Sequence, residues 1–395
     1  SKRLLTVQLD TKGVRERDRC LYAPQDGSLY PQSSPLKIAY PGDEHVEEQR
    51  LLAINVETGV QQAANYRRVP VSRSGYGLFN DNLGWWSTDS RHAYFVDMER
   101  DYKVARVVEF DTCTGATRIL FEETSETYLN LSPSEATPAT SVPLPDSNEL
   151  IWFSERSDWG HLYLYDLKTG GLKHPITQGE WMVREVLHFD AERRELYFQA
   201  GGRASDRNPY YLDICRVNID SGEITELLST DDEYTVLGSL GWRTFISLVC
   251  PYNSDCLINT CGVSPTSSYI VATRSRADQA PVNLLFDRDG NLLLELEKAD
   301  VSGLPEGWQW PEPFKLLAAD GKTDIYGAIF RPSDFSPDKQ YPVIDCSMCF
   351  AEFSTVPNGS FTNAIYGGRW YLEAISLAEL GFIVAVINNR GEALK

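Results

Sequence analysis

Apolar and polar positions alternate along this chain in short runs, and each run ends on a turn. Residues 162–170 read LYLYDLKTG. The alternating part predicts a strand, Asp166 and Thr169 can bond the turn backbone, and Gly170 can take a positive φ. The same pattern stands at 52–59 (LAINVETG), 108–115 (VEFDTCTG) and 216–222 (RVNIDSG), with a looser copy at 284–290 (LLFDRDG). Gly59, Gly115, Gly170, Gly222 and Gly290 are spaced by 56, 55, 52 and 68 residues. A second piece precedes the first: a polar turn feeding an aromatic-rich strand, at 85–96, 144–153, 189–198 and 263–271. Each unit therefore holds two turns and enough strand for a four-stranded blade. A period near fifty with this hairpin signature predicts a mainly β fold, a partial β-propeller of about five four-stranded blades over residues 1–305.

Residues 10–45 break the period. A charge run, RERDR at 15–19, is followed by Pro24, Gly27, Pro31, Pro35, Pro41 and Gly42, which predicts a blade insertion or extended arm with a solvated charged face. Residues 1–7 read as a blade piece without its front, so the chain is expected to start inside a blade.

The pattern changes after about residue 300. Residues 304–311 (LPEGWQWP) read as a linker, and residues 314–330 as a β-hairpin turning at Asp320 and Gly321. Residues 341–346 predict a buried strand. Residues 369–380 have helical spacing of apolar positions up to Gly381, and residues 382–387 (FIVAVI) a continuous apolar strand. Strand, helix and apolar strand are the beginning of a parallel α/β sheet, expected to be incomplete at residue 395. Residues 306–395 are thus a second domain.

Composition narrows the function. A net charge of −19 argues against nucleic acid and against an anionic membrane surface. No window reaches the roughly 18 apolar residues of a membrane-spanning helix. The first residues, SKRLL, carry no leader-like apolar run. The eight cysteines do not fix the compartment. Cys250, Cys256 and Cys261 cluster, and Cys346 and Cys349 form a lone CxxC without nearby histidine, so buried free thiols are expected and no metal site or cofactor.

The order of these pieces resembles the prolyl oligopeptidase family of serine peptidases, in its dipeptidyl peptidase IV branch. The resemblance rests on residues 153–163 (FSERSDWGHLY), 176–183 (ITQGEWMV), the arm-like 35–43 (PLKIAYPGD), and the strand, helix and strand ending in Asn389, Arg390 and Gly391. It implies the start of an α/β-hydrolase domain after the propeller. The implied activity releases dipeptides from a free N-terminus, often after proline, with the propeller screening access to a Ser-His-Asp site. A peptide is the implied substrate and a homodimer of the full-length protein an implied assembly. A periplasmic or secreted location is implied, with the cytoplasm as the alternative.

No G-x-S-x-G occurs, and His45, His92, His161, His174 and His188 all lie in the propeller part. No catalytic residue is assigned, and this chain alone is expected to be inactive. By resemblance, Trp159 matches an aromatic that faces the substrate from the propeller, and Gly160 replaces a basic residue usual beside it. His161 is expected to be structural. The family's tyrosine donor to the oxyanion is replaced around Cys346, Ser347 and Met348. Glu47, Glu48, Glu122 and Glu123 are adjacent acids outside the family's amine-binding context and are expected at the surface. The competing readings are a propeller scaffold with a degenerate hydrolase tail, and an oligopeptidase or acylaminoacyl peptidase of the same family.

Overall fold

A computed structural model describes residues 2–71, 83–133, 139–236, 262–346, 356–361 and 368–388, the side chains of 368–370 excepted. The chain divides into two compact units, one of residues 1–131, 141–152 and 164–174, the other of residues 132–140, 153–163 and 175–395.

In the first sheet β1 (Arg3–Asp10) pairs with β6 (Glu48–Asn55), and β6 pairs with β7 (Gln61–Ala63) and β8 (Val69–Pro70). The predicted arm lies between β1 and β6. It is two short ribbons, β2 (Glu16–Arg17) with β5 (Leu36–Lys37) and β3 (Cys20–Leu21) with β4 (Gln32–Ser33). Its charge run is not wholly solvated. Arg17 bridges Asp43 at 2.6 Å and lies 3.8 Å over the Tyr40 ring.

Four further antiparallel sheets follow in sequence order. They are β9 (Gly84–Trp86) to β12 (Thr117–Thr124), with β10 (His92–Met98) and β11 (Val104–Asp111) between; and β13 (Ser141–Leu144), β14 (Glu149–Ser154), β15 (His161–Asp166) and β16 (Leu172–Pro175). Then come β17 (Met182–Asp190), β18 (Glu195–Gly201), β19 (Leu212–Asn218) and β20 (Ile224–Leu228); and β21 (Glu233–Thr235), β22 (Tyr269–Arg276), β23 (Gln279–Asp287) and β24 (Leu292–Lys298). These five four-stranded sheets are the blades of the partial propeller. The middle strands are the cores: every residue of β14 is buried, and so are Leu196, Tyr197 and Phe198 of β18.

The repeated turns have one construction. Asn55, Asp111, Asp166 and Asn218 each accept the N–H groups of the second and third residues beyond through their side-chain oxygen. Asp287 does so for Asp289 and Asn291. The five glycines all adopt φ between 71° and 82°. Gly170 has a second reason to lack a side chain, because a Cβ there would lie 2.0 Å from the Leu120 carbonyl oxygen of β12. The polar turns before β10, β14, β18 and β22 each hold one left-handed residue, Ser90, Asn148, Arg194 and Ser267.

The last sheet is β25 (Glu312–Leu317), β26 (Asp324–Phe330), β28 (Ile383–Ile387) and β27 (Val343–Asp345), in that spatial order. β25 and β26 form the predicted hairpin, with Gly321 at φ 67°. β27 runs parallel to β28, and helix α1 (Gly368–Glu379) crosses between them. The helix stops at Gly381, which is left-handed and donates to Ala378 O at 2.8 Å. This is the start of an α/β-hydrolase sheet. Its core holds Ala328, Phe330, Tyr371, Ala374, Val384 and Val386, together with Ala277 from the tip of the β22–β23 hairpin. Tyr371 donates its hydroxyl to Ala277 O at 3.1 Å. The linker tryptophans pack as aromatics do, Trp308 and Trp310 against Phe361.

Candidate functional site

Trp159 sits in the turn joining β14 to β15. Asp158, just before it, is left-handed at φ 68° and donates its N–H to Glu155 O at 2.9 Å. Ser157 donates its hydroxyl to Trp159 O at 3.3 Å and accepts from Tyr163. The Arg156 guanidinium lies 4.4 Å over the Tyr163 ring and bonds Ser154 Oγ at 2.9 Å. These ties turn Trp159, itself partly buried, onto buried Met182 and Tyr210, where Tyr326 of β26 also packs. Tyr210 and Tyr326 meet edge to face with centroids 6.0 Å apart. Asn358 holds the Tyr210 backbone, donating Nδ2 to its carbonyl at 2.8 Å. Propeller residues and a residue of the hydrolase sheet thus share one apolar cluster within the second unit.

Charged groups lie within electrostatic reach of Tyr210 and of one another. Arg207 pairs with Asp213 at 2.5 Å, both almost wholly buried. Glu233 is buried and accepts the Leu212 N–H at 2.8 Å. Burial pushes its carboxyl up to about 8 against the pull of that bond and of Arg207 and Arg184, so it is largely neutral at pH 7. Arg184 lies on β17 two residues after Met182. Burial pulls its pKa down, while Tyr210, Glu233, Glu155 and Glu185 oppose that effect.

Other expected residues serve the fold. His161 is buried between Thr177 Oγ1 at 3.0 Å and Gly179 O at 2.9 Å, and burial lowers its pKa, so it is the structural residue expected. A Cβ on Gly160 would lie 2.6 Å from Cζ of Phe153, so the missing basic side chain has a packing reason. Glu122 is exposed and bound to Arg106 at 2.5 Å, but Glu123 departs from the surface expectation. It is buried and accepts the Trp152 indole N–H at 2.7 Å, because that donor inside the blade needs an acceptor. Cys20 and Cys113 are exposed free thiols, which corrects the expectation of burial for these two. Cys215 is buried and Cys346 partly so. Ser347, Met348, Cys250, Cys256, Cys261 and Cys349 lie outside the described residues.

His188 bonds Ser267 Oγ at 3.1 Å, but this pair is no nucleophile and base. Ser267 is buried in a blade turn, and Asp190 is bound to Arg193 at 2.9 Å rather than to the imidazole. No group of three metal-ligating side chains occurs among the described residues. A cavity of about 930 Å³ lies in the first unit at the root of the arm, lined by residues including Tyr40, Glu47, Arg67, Met98, Glu99 and Arg100. Tyr210, Tyr326, Glu233 and Arg184 escaped the sequence reading. One signal was available for Arg184: it is a cation in the run WMVREVL, which is apolar apart from Arg184 and Glu185.

The model of the dipeptidyl peptidase IV N-terminal region matches residues 1–262. Human dipeptidyl peptidase 8 is 26% identical over 324 residues, covering 75% of this chain and 33% of that protein. A probable dipeptidyl peptidase 4 of Emericella nidulans is 28% identical over 265 residues, covering 66% of this chain and 31% of the relative. Among solved structures, a putative dipeptidyl aminopeptidase IV from Bacteroides ovatus aligns over 99% of this chain and 51% of its own, with TM-score 0.71 and 21% identity. Porphyromonas gingivalis dipeptidyl peptidase 4 aligns over 99% and 48%, with TM-score 0.66 and 17% identity. The chain spans about a third of the length of these curated relatives and about half of these solved structures. At such identities the structures speak for the fold, whereas the family model covers well over half of the chain, and the protein belongs to the dipeptidyl peptidase IV branch of the prolyl oligopeptidase family of serine peptidases.

Proposed function

We propose that this chain is part of a serine exopeptidase that releases N-terminal dipeptides, with residues 1–305 as a propeller gating access and residues 306–395 opening the hydrolase domain. Within it, Trp159 is a substrate-binding residue. The observation that carries this reading is the cluster in which Trp159 and Tyr326 of the hydrolase sheet both pack on Met182 and Tyr210. It gives an aromatic wall at the join of the two folds, where a peptide reaching a hydrolase site would pass. The full-length protein should release dye from a Gly-Pro amide and lose that activity when the substrate amine is acetylated. Trp159→Ala should raise KM about tenfold with little change in kcat, as expected for a residue that binds substrate and transition state alike. Correctly folded full-length protein without turnover or labelling by an active-serine probe would instead support the scaffold reading.

A further inference from the structure

β17 carries two irregularities in its pairing with β18. Val183 opposes Ala200 and Glu185 opposes Gln199, so Arg184 is an extra residue without a partner. Val186 opposes Phe198 and His188 opposes Tyr197, which makes Leu187 a second extra residue. The two are used differently. Leu187 is buried in the core cluster between the fourth and fifth blades. Arg184 cannot be used that way, because a guanidinium stays charged at every working pH. A bulge re-aims the side chain it frees, and such bulges gather beside binding sites.

Arg184 remains partly accessible, with its Nη1 3.5 Å from Met182 Sδ at the edge of the Trp159 cluster. Among the described residues no carboxylate comes within ion-pair distance of it, although Glu155, Glu185 and Glu233 are near enough to favour its charge. Arg207, by contrast, is matched with Asp213. A poorly hydrated cation without a matched anion is costly to keep, and the cost falls when an anionic ligand arrives.

We propose that Arg184 is a carboxylate-recognising subsite of the peptide-binding region, taking either the free C-terminal carboxylate of a short peptide or an acidic side chain. The identity of the ligand as a peptide rests on the peptidase reading above. The planar fork of arginine matches a carboxylate with two parallel hydrogen bonds, which a lysine at this position would not reproduce.

The test is equilibrium binding to the full-length protein, by calorimetry. It uses five-residue peptides whose second peptide bond is N-methylated to resist hydrolysis. One has a C-terminal amide and Gln at the third position, a second a C-terminal carboxylate with the same Gln, and a third a C-terminal amide with Glu. One anionic peptide should bind about tenfold tighter than the neutral one, the strength of a charge-assisted pair, and which one does so identifies the source of the carboxylate. That preference should fall below twofold in Arg184→Gln, and Arg184→Lys should keep only part of it. If Arg184→Gln fails to fold, Arg184→Lys and the wild-type salt dependence decide: the preference must shrink in both the lysine variant and high salt. Equal binding of all three peptides by the wild type, or a preference that survives substitution, overturns the proposal. Release of dye from the Gly-Pro amide is scored separately, so loss of the peptidase reading and loss of this subsite give different results.

Discussion

The blade turns and the turn that carries Trp159 are built from the same residue types, yet they answer to different constraints. In the blade turns a side-chain oxygen of Asn or Asp binds successive backbone N–H groups, and a left-handed glycine closes the loop. At Gly170 the neighbour is backbone, the Leu120 carbonyl. In the Trp159 turn the left-handed residue is Asp158, and the space beside Gly160 is taken by side chains, Phe153 and Met182. The left-handed backbone imposes glycine at every copy. Side-chain neighbours can be exchanged, so the second turn carries a local solution found once.

The strongest way to break that comparison is a matched pair of substitutions. Gly59 and Gly170 have nearly the same φ, 71° and 76°, but a Cβ on Gly59 would meet nothing within 4 Å. Gly59→Ala should cost about 1–2 kcal/mol, the left-handed penalty alone. Gly170→Ala should cost about 3–5 kcal/mol, because the penalty is joined by overpacking against the Leu120 backbone. Urea unfolding of both variants measures the difference. Equal losses would mean that conformation alone selects these glycines and that the close approach is immaterial.

The same contrast explains what could be read from the sequence. The five blades were legible because turn glycines and Asx residues recur wherever the backbone needs them. The hydrolase start was legible because α1 and β28 combine helical spacing with a continuous apolar run. The second extra residue of β17 and the burial of Glu123 were not legible: each depends on a pairing register or on the Trp152 indole, distant in sequence. Trp159 was singled out through family resemblance, whereas its neighbours Tyr210 and Tyr326 lie 51 and 167 positions further along and share no pattern with it.

A second test is electrostatic and smaller. Asp166, in a blade turn, has its carboxyl held below the usual range, first by the Thr169 N–H, which favours the charged form. Glu233 is shifted the other way, from 4.5 to about 8, by burial. Its folded form therefore binds more protons than the unfolded chain between those values. The stability this gives is complete below pH 4.5 and is lost as pH rises through about 8. Glu233→Gln keeps an acceptor for the Leu212 N–H and cannot ionise. It should raise the apparent Tm at pH 7.5 by several degrees, with the gain vanishing near pH 4. A gain of equal size at both pH values would assign the effect to packing.

The smallest expected effect lies in the Trp159 turn itself. Asp158→Gly removes the left-handed penalty on a residue with a Cβ, yet glycine also has more conformational freedom to lose on folding. The two terms oppose each other, so stability should change by less than about 1 kcal/mol. Binding should respond differently if the turn fixes the indole against Met182 and Tyr210. A looser backbone one residue away lets Trp159 sample other orientations, and the bound orientation must then be selected from them. KM for the Gly-Pro amide should rise about two- to threefold, with kcat unchanged. An unchanged KM would show that the packing of Met182 and Tyr210 is enough to hold the indole, and that the left-handed Asp158 serves only to close the turn.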